Sequence, residues 1–372
     1  METGVEGHSL TAEDRLFILM QAALYLTALR GHASLEARSC FERAESLCHS
    51  LNRPRLLYVA LIGQWRYSLI TDKLTATLQI AKRVYSLAQE QNDSALMMGA
   101  YRALAGTLFY FGNFESARQY AMCAIRIWRS GGVQSVVEDL DAPAVVCLCY
   151  EALCKWHLGE TASCKATIVE AISLAKQLND MHTLAGALHF AAYLAHYDRN
   201  PAEVERLASD LIELSTRENF SLWLAAGAML RGWARSALGN PAEGISWIED
   251  AIGDFRATGS KVEPFLLALK AEALHLSERT SEALEALREA EAMAERSEER
   301  QWCAELHRLS GVFLASIAAE ETEIEASFCA AISTAREQKS TSLEKRAQET
   351  YAEYRRQKAR ALGRHGFRLP LC

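Results

Sequence analysis

The sequence predicts an all-α protein, a solenoid of about eight antiparallel helix pairs repeating every forty residues or so. Three observations predict it. Only 6 Pro and 20 Gly interrupt 372 residues, half of them hydrophobic, and helix-favouring Ala, Leu, Glu and Arg predominate. The tetrapeptide Asn200-Pro201-Ala202-Glu203 returns forty positions later as Asn240-Pro241-Ala242-Glu243. Turn signals keep the same register, near Gly31, Asp72, Gly112, Gly159, Arg199, Gly239, Glu278 and Ala319, at intervals of 41, 40, 47, 40, 40, 39 and 41 residues.

Along the chain, residues 1–14 are expected to form a disordered segment, and 15–357 the repeat array. Around Gly112, Tyr101, Leu104, Ala105 and Leu108 recur with helical spacing before the turn, and Ala117, Ala121 and Ala124 after it. Each unit is therefore two helices about a tight turn, and because one hairpin cannot bury its apolar face alone, neighbours must stack. The long interval holds SGGVQSVVEDLDAP, an insertion loop near 130–143 that leaves the phase intact. At 200 and 240 Asn can cap a helix start, Pro suits the first helical position, and Glu at the third can reach back to the cap.

In RGWARSALGNPAEG, residues 231–244, Gly232 and Gly244 face each other across a hairpin, where a missing Cβ lets two helices approach. Gly239 stops the first of them in a left-handed conformation. The chain closes on Arg355, Arg356, Lys358, Arg360, Arg364 and Arg368, either cations favoured by a helix dipole or a contact for an acidic partner, with 358–372 as an irregular basic tail.

Small residues at the close-approach positions, Gly232, Gly244 and Ala251 in one unit and Ala105, Ala117 and Ala124 in another, resemble the tetratricopeptide repeat in a longer form. Arg235 and Lys155 stand where its consensus has an aromatic. The resemblance implies a right-handed superhelix with a concave groove. From about 141 to 340, DAPAVVCLCYEALCKWHLG, LAGALHFAAYLAHY, SLWLAAGAMLRGWARSALG and AELHRLSGVFLAS resemble the C-terminal repeats of large bacterial adenylate/guanylate cyclase-type regulators with a P-loop ATPase domain. That resemblance implies a regulatory or sensory arm, with ATPase or cyclase domains on another chain as candidate partners, or a C-terminal fragment of such a regulator. After AQETYAEYRRQKAR the family pattern would continue through another helical pair, whereas here ALGRHGFRLPLC follows, which leaves a natural cap and a truncation both open.

The familiar chemistries are missing. A net charge of −7 and a pI near 5.9 argue against a general nucleic-acid binder. METGVEGHSLTAEDR carries no export pattern and no uncharged apolar run reaches membrane-spanning length, so a cytoplasmic protein with no membrane contact is expected. Its ten Cys then behave as small buried hydrophobes. GDFRATGSK, 253–261, lacks the spacing and the leading strand of a phosphate loop. Cys147, Cys149, Cys154 and Cys164 suggest metal, but Cys147 and Cys149 diverge on a helix and no C-x-x-C occurs, so packing is expected. Neither G-x-S-x-G nor H-E-x-x-H is present. No catalytic residue, cofactor or metal is expected, and the chain reads as a non-catalytic interaction scaffold.

A row of side chains near the turns supplies the candidate site. Trp156, His196 and His275 each lie three residues before a turn, late in the first helix of a unit, with His189, Tyr193 and Trp233 on the same face nearby. Equivalent positions on stacked helices sit roughly 10 Å apart, too far for one metal whose ligands each lie at ~2 Å. These six are expected to line a groove for a protein or peptide partner, with Tyr and Trp as anchors. Its histidines would change the groove's charge between about pH 6 and 7. The alternative is half-buried histidines beside a plain core tryptophan.

Overall fold

The computed structural model describes residues 10–71, 73–131 and 142–361, which form helices and turns with no strand among the described residues. The first hairpins are α1 (Ala12–Arg30) with α2 (Leu35–Ser50), α3 (Pro54–Thr71) with α4 (Leu74–Gln91), α5 (Ser94–Tyr110) with α6 (Phe114–Arg129), and α7 (Pro143–His157) with α8 (Thr161–Leu178). Then come α9 (Met181–Tyr197) with α10 (Pro201–Glu218), α11 (Ser221–Ala237) with α12 (Pro241–Ala257), α13 (Pro264–Leu276) with α14 (Thr280–Ser297), and α15 (Cys303–Ser316) with α16 (Glu321–Glu337). A final α17 (Thr341–Ala361) packs on α16 and α15. The turn expected at Asp72, the core of the insertion loop, and Arg364 and Arg368 lie outside the described residues.

Local chemistry sets the boundaries. Gly239 turns at φ 99°, as a left-handed stop requires, but Arg199, Glu278 and Ala318 take the same left-handed turn at φ 54°, 63° and 52°. The last hairpin therefore turns on Ala318 rather than Ala319. Thr11 and Asp14 close a capping box, with the Asp14 amide donating to Thr11 Oγ1 at 3.1 Å and the Thr11 amide to Asp14 Oδ2 at 3.0 Å. Residues 12–14 are thus the first turn of α1 instead of disordered chain, and 358–361 continue α17 instead of opening the tail.

The repeated Asn-Pro-Ala-Glu starts two helices, but not by identical caps. Asn200 accepts the Glu203 amide at 3.2 Å while the Glu203 carboxylate turns to Arg206, and Asn240 makes no side-chain cap bond. Both helices rely on Pro at their first position.

The close approach at Gly232 and Gly244 is direct. A Cβ on Gly232 would stand 2.6 Å from the Gly244 carbonyl oxygen, and one on Gly244 would stand 2.2 Å from that of Gly232. The four cysteines Cys147, Cys149, Cys154 and Cys164 are buried thiols; burial pushes Cys147 up to about 12 and Cys164 up to about 11. No cluster of candidate metal ligands occurs among the described residues.

The units wind tightly enough for the far half of the array to enter the concave face of the near half. The Lys261 amide donates to the Ile70 carbonyl at 3.1 Å, and the Arg300 amide to that of Tyr110 at 2.8 Å. Ser340 Oγ lies 2.9 Å from His157 Nδ1, and Ser342 donates to the Trp156 carbonyl. Arg346 of α17 donates to the Tyr197 carbonyl. The linkers after α12 and α14 and the first turn of α17 thus cap the C-terminal ends of α3, α5 and α7, where a helix leaves carbonyls without intrahelical partners.

Candidate ligand cavity on the concave face

Each of the six expected groove residues sits on a first helix, but tight winding gives them different surroundings. Trp156 is 3% exposed: its indole donates to Asp198 Oδ1 at 3.0 Å, its ring lies 4.7 Å from that of Tyr197, and the Arg346 guanidinium covers it at 5.1 Å. His196 is fully buried, 4.4 Å from the Trp233 ring and with Nε2 3.4 Å from Glu272 Oε1. Trp233 donates to Glu272 Oε2 at 3.1 Å. His275 is half-buried, stacked on Phe313 at 4.3 Å and bonded to Thr280 at 3.0 Å.

Trp233 and His196 belong to a buried ionic network. Arg199 bridges Glu272 and Glu305, and Glu305 also takes Arg308 at 2.8 Å and Arg346 at 3.3 Å. Burial raises the Glu272 carboxyl, but Arg199 and His196 outweigh it and hold it at about 2. Burial pushes His196 down to about 4 against the pull of Glu272. This network ties α9, α11, α13, α15 and α17 together. Removing one partner of such a set strands the others in a poorly solvating interior.

His189 and Tyr193 are placed elsewhere. They are 4.4 Å apart and line a cavity of about 140 Å³ on the concave face. Helices α3, α5, α7, α9 and α11 build one side, with Trp65, Tyr150 and Trp223 as aromatic wall and Arg66 and Arg102 as cations. The linkers after α12 and α14 bring in Lys261, Glu263 and Glu299. Tyr193 and Tyr110 donate to the two oxygens of Glu263 at 3.0 and 3.4 Å. Lys261 pairs with Glu299 Oε1 at 2.8 Å, while Glu299 Oε2 and His189 Nδ1 are buried without a hydrogen-bond partner.

The titration expected of the groove moves to another residue type. Burial pushes His189 down to about 3 and lowers His275, so with His196 they stay uncharged near neutrality. Burial and the neighbouring Glu299 charge instead raise Glu263 to about 7. Sequence reading missed Glu263 and Glu299 because both lie in linkers. The available signal was linker length: 258–263 and 298–302 connect units where 179–180 and 219–220 suffice elsewhere.

No protein-family model matches the chain. Among solved structures, it resembles a Rap protein complexed with competence and sporulation factor, at TM-score 0.58 and 12% identity, over 94% of this chain and 99% of that one. NprR in complex with its cognate peptide NprX gives TM-score 0.57 and 12% identity over 96% and 99%. The fold is a tetratricopeptide-like solenoid. The Rap conjugation gene regulator of plasmid pLS20, with the Phr* peptide, is similar at TM-score 0.52 and 12% identity over 94% and 98%. In sequence, the solenoid is 21% identical over 276 residues to an uncharacterised protein of Rhizobium meliloti (strain 1021), covering 73% of this chain but only 27% of that protein. No helix among the described residues is long and apolar enough to cross a membrane.

Proposed function

We propose that this chain is a non-catalytic sensor scaffold that takes a protein or peptide partner on its concave face, with the cavity at His189 and Tyr193 receiving part of it. One observation carries the reading: where the linkers after α12 and α14 enter the concave face they leave a cavity with an aromatic wall and two buried polar atoms lacking hydrogen-bond partners, Glu299 Oε2 and His189 Nδ1. Buried polar groups are normally bonded, and an orphan at a cavity wall invites a ligand. Three solenoids of similar shape were solved with a signalling factor or peptide bound, which supports the same use here. On this reading Trp156, His196, Trp233 and His275 support the site from behind, and the protein acts in the cytoplasm.

A second reading follows from length. The chain spans about a quarter of the Rhizobium relative, and Phe17 and Tyr25 of α1 are 66% and 65% exposed. Both favour an arm that works with further domains, in the same polypeptide or on another chain, and the resemblance of residues 141–340 to cyclase-type regulators suggests ATPase or cyclase domains for that role.

The test fills the cavity. A Cβ on Gly186 meets only Trp223, at 3.6 Å, so Gly186→Leu places extra volume at the wall without a backbone clash. Peptides and proteins retained from an extract of the source cell by the wild-type chain should be released by this variant with helicity intact. Equal retention by both proteins removes the cavity from the function.

A further inference from the structure

Two carboxylates face this cavity with incomplete compensation. Glu299 is 2% exposed, and only its Oε1 is engaged, by Lys261. Its Oε2 has no partner. Glu263, half-buried beside it, receives two phenolic hydrogen bonds, from Tyr193 and Tyr110, and no ion pair among the described residues. Carboxylates taken out of water demand either a cation or a proton. Lys261 meets part of that demand at Glu299, whose carboxyl burial still raises above its ordinary value, and Glu263 meets it by holding a proton up to about pH 7.

The other charged or titratable side chains at the cavity are His32 from the turn after α1, Arg66 from α3, Arg102 from α5 and His189 from α9. Arg102 sits over the Trp65 ring at 5.3 Å, and burial keeps His189 neutral. The remaining wall is aromatic, with Tyr110, Tyr150 and Trp223, whose π faces favour an organic cation.

We propose that the cavity binds a primary ammonium group on an apolar body, the cation lodging between Glu299 Oε2 and Glu263 and the body lying against the aromatic wall. An ammonium carries three donors and no acceptor, matching the orphan Glu299 oxygen and the Glu263 carboxylate. The ligand cation takes the place of the Glu263 proton, which leaves to solvent as binding occurs. This specificity rests on the concave face being a ligand-binding surface, and its chemistry has two sources: the N-terminus of a peptide, or a free amine.

Isothermal titration of the full chain tests it. The probes are 2-phenylethylammonium and the tripeptide Phe-Leu-Leu, each set against a counterpart without the cation, 3-phenylpropionate and N-acetyl-Phe-Leu-Leu. At least one amine should bind at least tenfold more tightly than its counterpart. Its affinity should rise by up to tenfold per pH unit toward pH 7 and level off above, with a binding heat that depends on the buffer's ionisation enthalpy. Glu299→Gln should weaken it at least tenfold and Glu299→Asp should restore part. The wild-type pH profile and buffer dependence decide the matter should either variant misfold.

Binding of the tripeptide alone assigns the site to a peptide terminus, and binding of phenylethylammonium alone to a free amine. Absence of amine binding, equal binding of the counterparts, or binding without proton release overturns the ammonium site. Peptide retention that ignores N-acetylation would overturn this inference and leave the peptide scaffold standing. Amine binding with no peptide or protein retained would do the reverse.

Discussion

Two carboxylates with opposite shifts show what single residues contribute. Glu272, held at about 2, adds stability above its ordinary 4.5 that is lost as pH falls toward 2. Glu263, raised to about 7, adds stability below 4.5 that is lost as pH rises through 7, because the folded chain binds that proton more tightly than the unfolded one. Unfolding free energy should therefore decline between about pH 5 and 7.5, by on the order of 2 kcal/mol after solvent screening. Glu263→Gln should flatten that decline in urea titrations at the two pH values; an unchanged slope would place its origin in another group. Glu305→Ala would leave Arg199, Arg308 and Arg346 around an empty centre and should cost about 3–5 kcal/mol in the same assay.

Among the elements, α12 carries two glycines with opposite expected responses. Gly244 touches the Gly232 carbonyl, so Gly244→Ala must push two helices apart, an overpacking cost of about 1–3 kcal/mol. Gly253 is exposed with nothing within 4 Å of an added Cβ, so Gly253→Ala should gain about 1 kcal/mol of helix propensity. Melting temperatures moving in the same direction for both variants would refute this assignment of roles. Elements of this kind were legible in the sequence because their causes are local. The Asn-Pro starts, the glycine stop after α11 and the small residues of each hairpin act within forty residues or fewer. Arg199, Glu278 and Ala318 show that the period located turns even where residue type gave weak warning, since stacking fixes the turn and the side chain tolerates it.

The winding of the whole molecule was not legible, and the candidate site depends on it. Trp156, His196 and Trp233 point inward as their positions suggest, but the surface they point toward is occupied by residues far along the chain. Ser342 reaches Trp156 across 186 residues and Arg346 reaches Tyr197 across 149. A repeat pattern carries no information about contacts at that separation, so a groove was expected where α17 and three linkers lie. Arg346→Ala should expose the ends of α7 and α9, with amide exchange there rising about tenfold while α2 and α4 stay unchanged. Exchange that rises only within α17 would mean that the last helix merely rests on the array.

Those long-range bonds also bear on how such a chain can change over generations. In an open stack each unit touches only its neighbours, so a unit can be lost or duplicated with the ends simply drawing nearer or further apart. Here Thr75 meets Glu298 and Lys339 meets Glu115, at separations of 223 and 224 residues. Deleting one hairpin between them would slide every such pairing by a whole unit, like a gear losing a tooth. The number of hairpins is thereby locked, and heritable variation is channelled into lengths of chain that do not mesh.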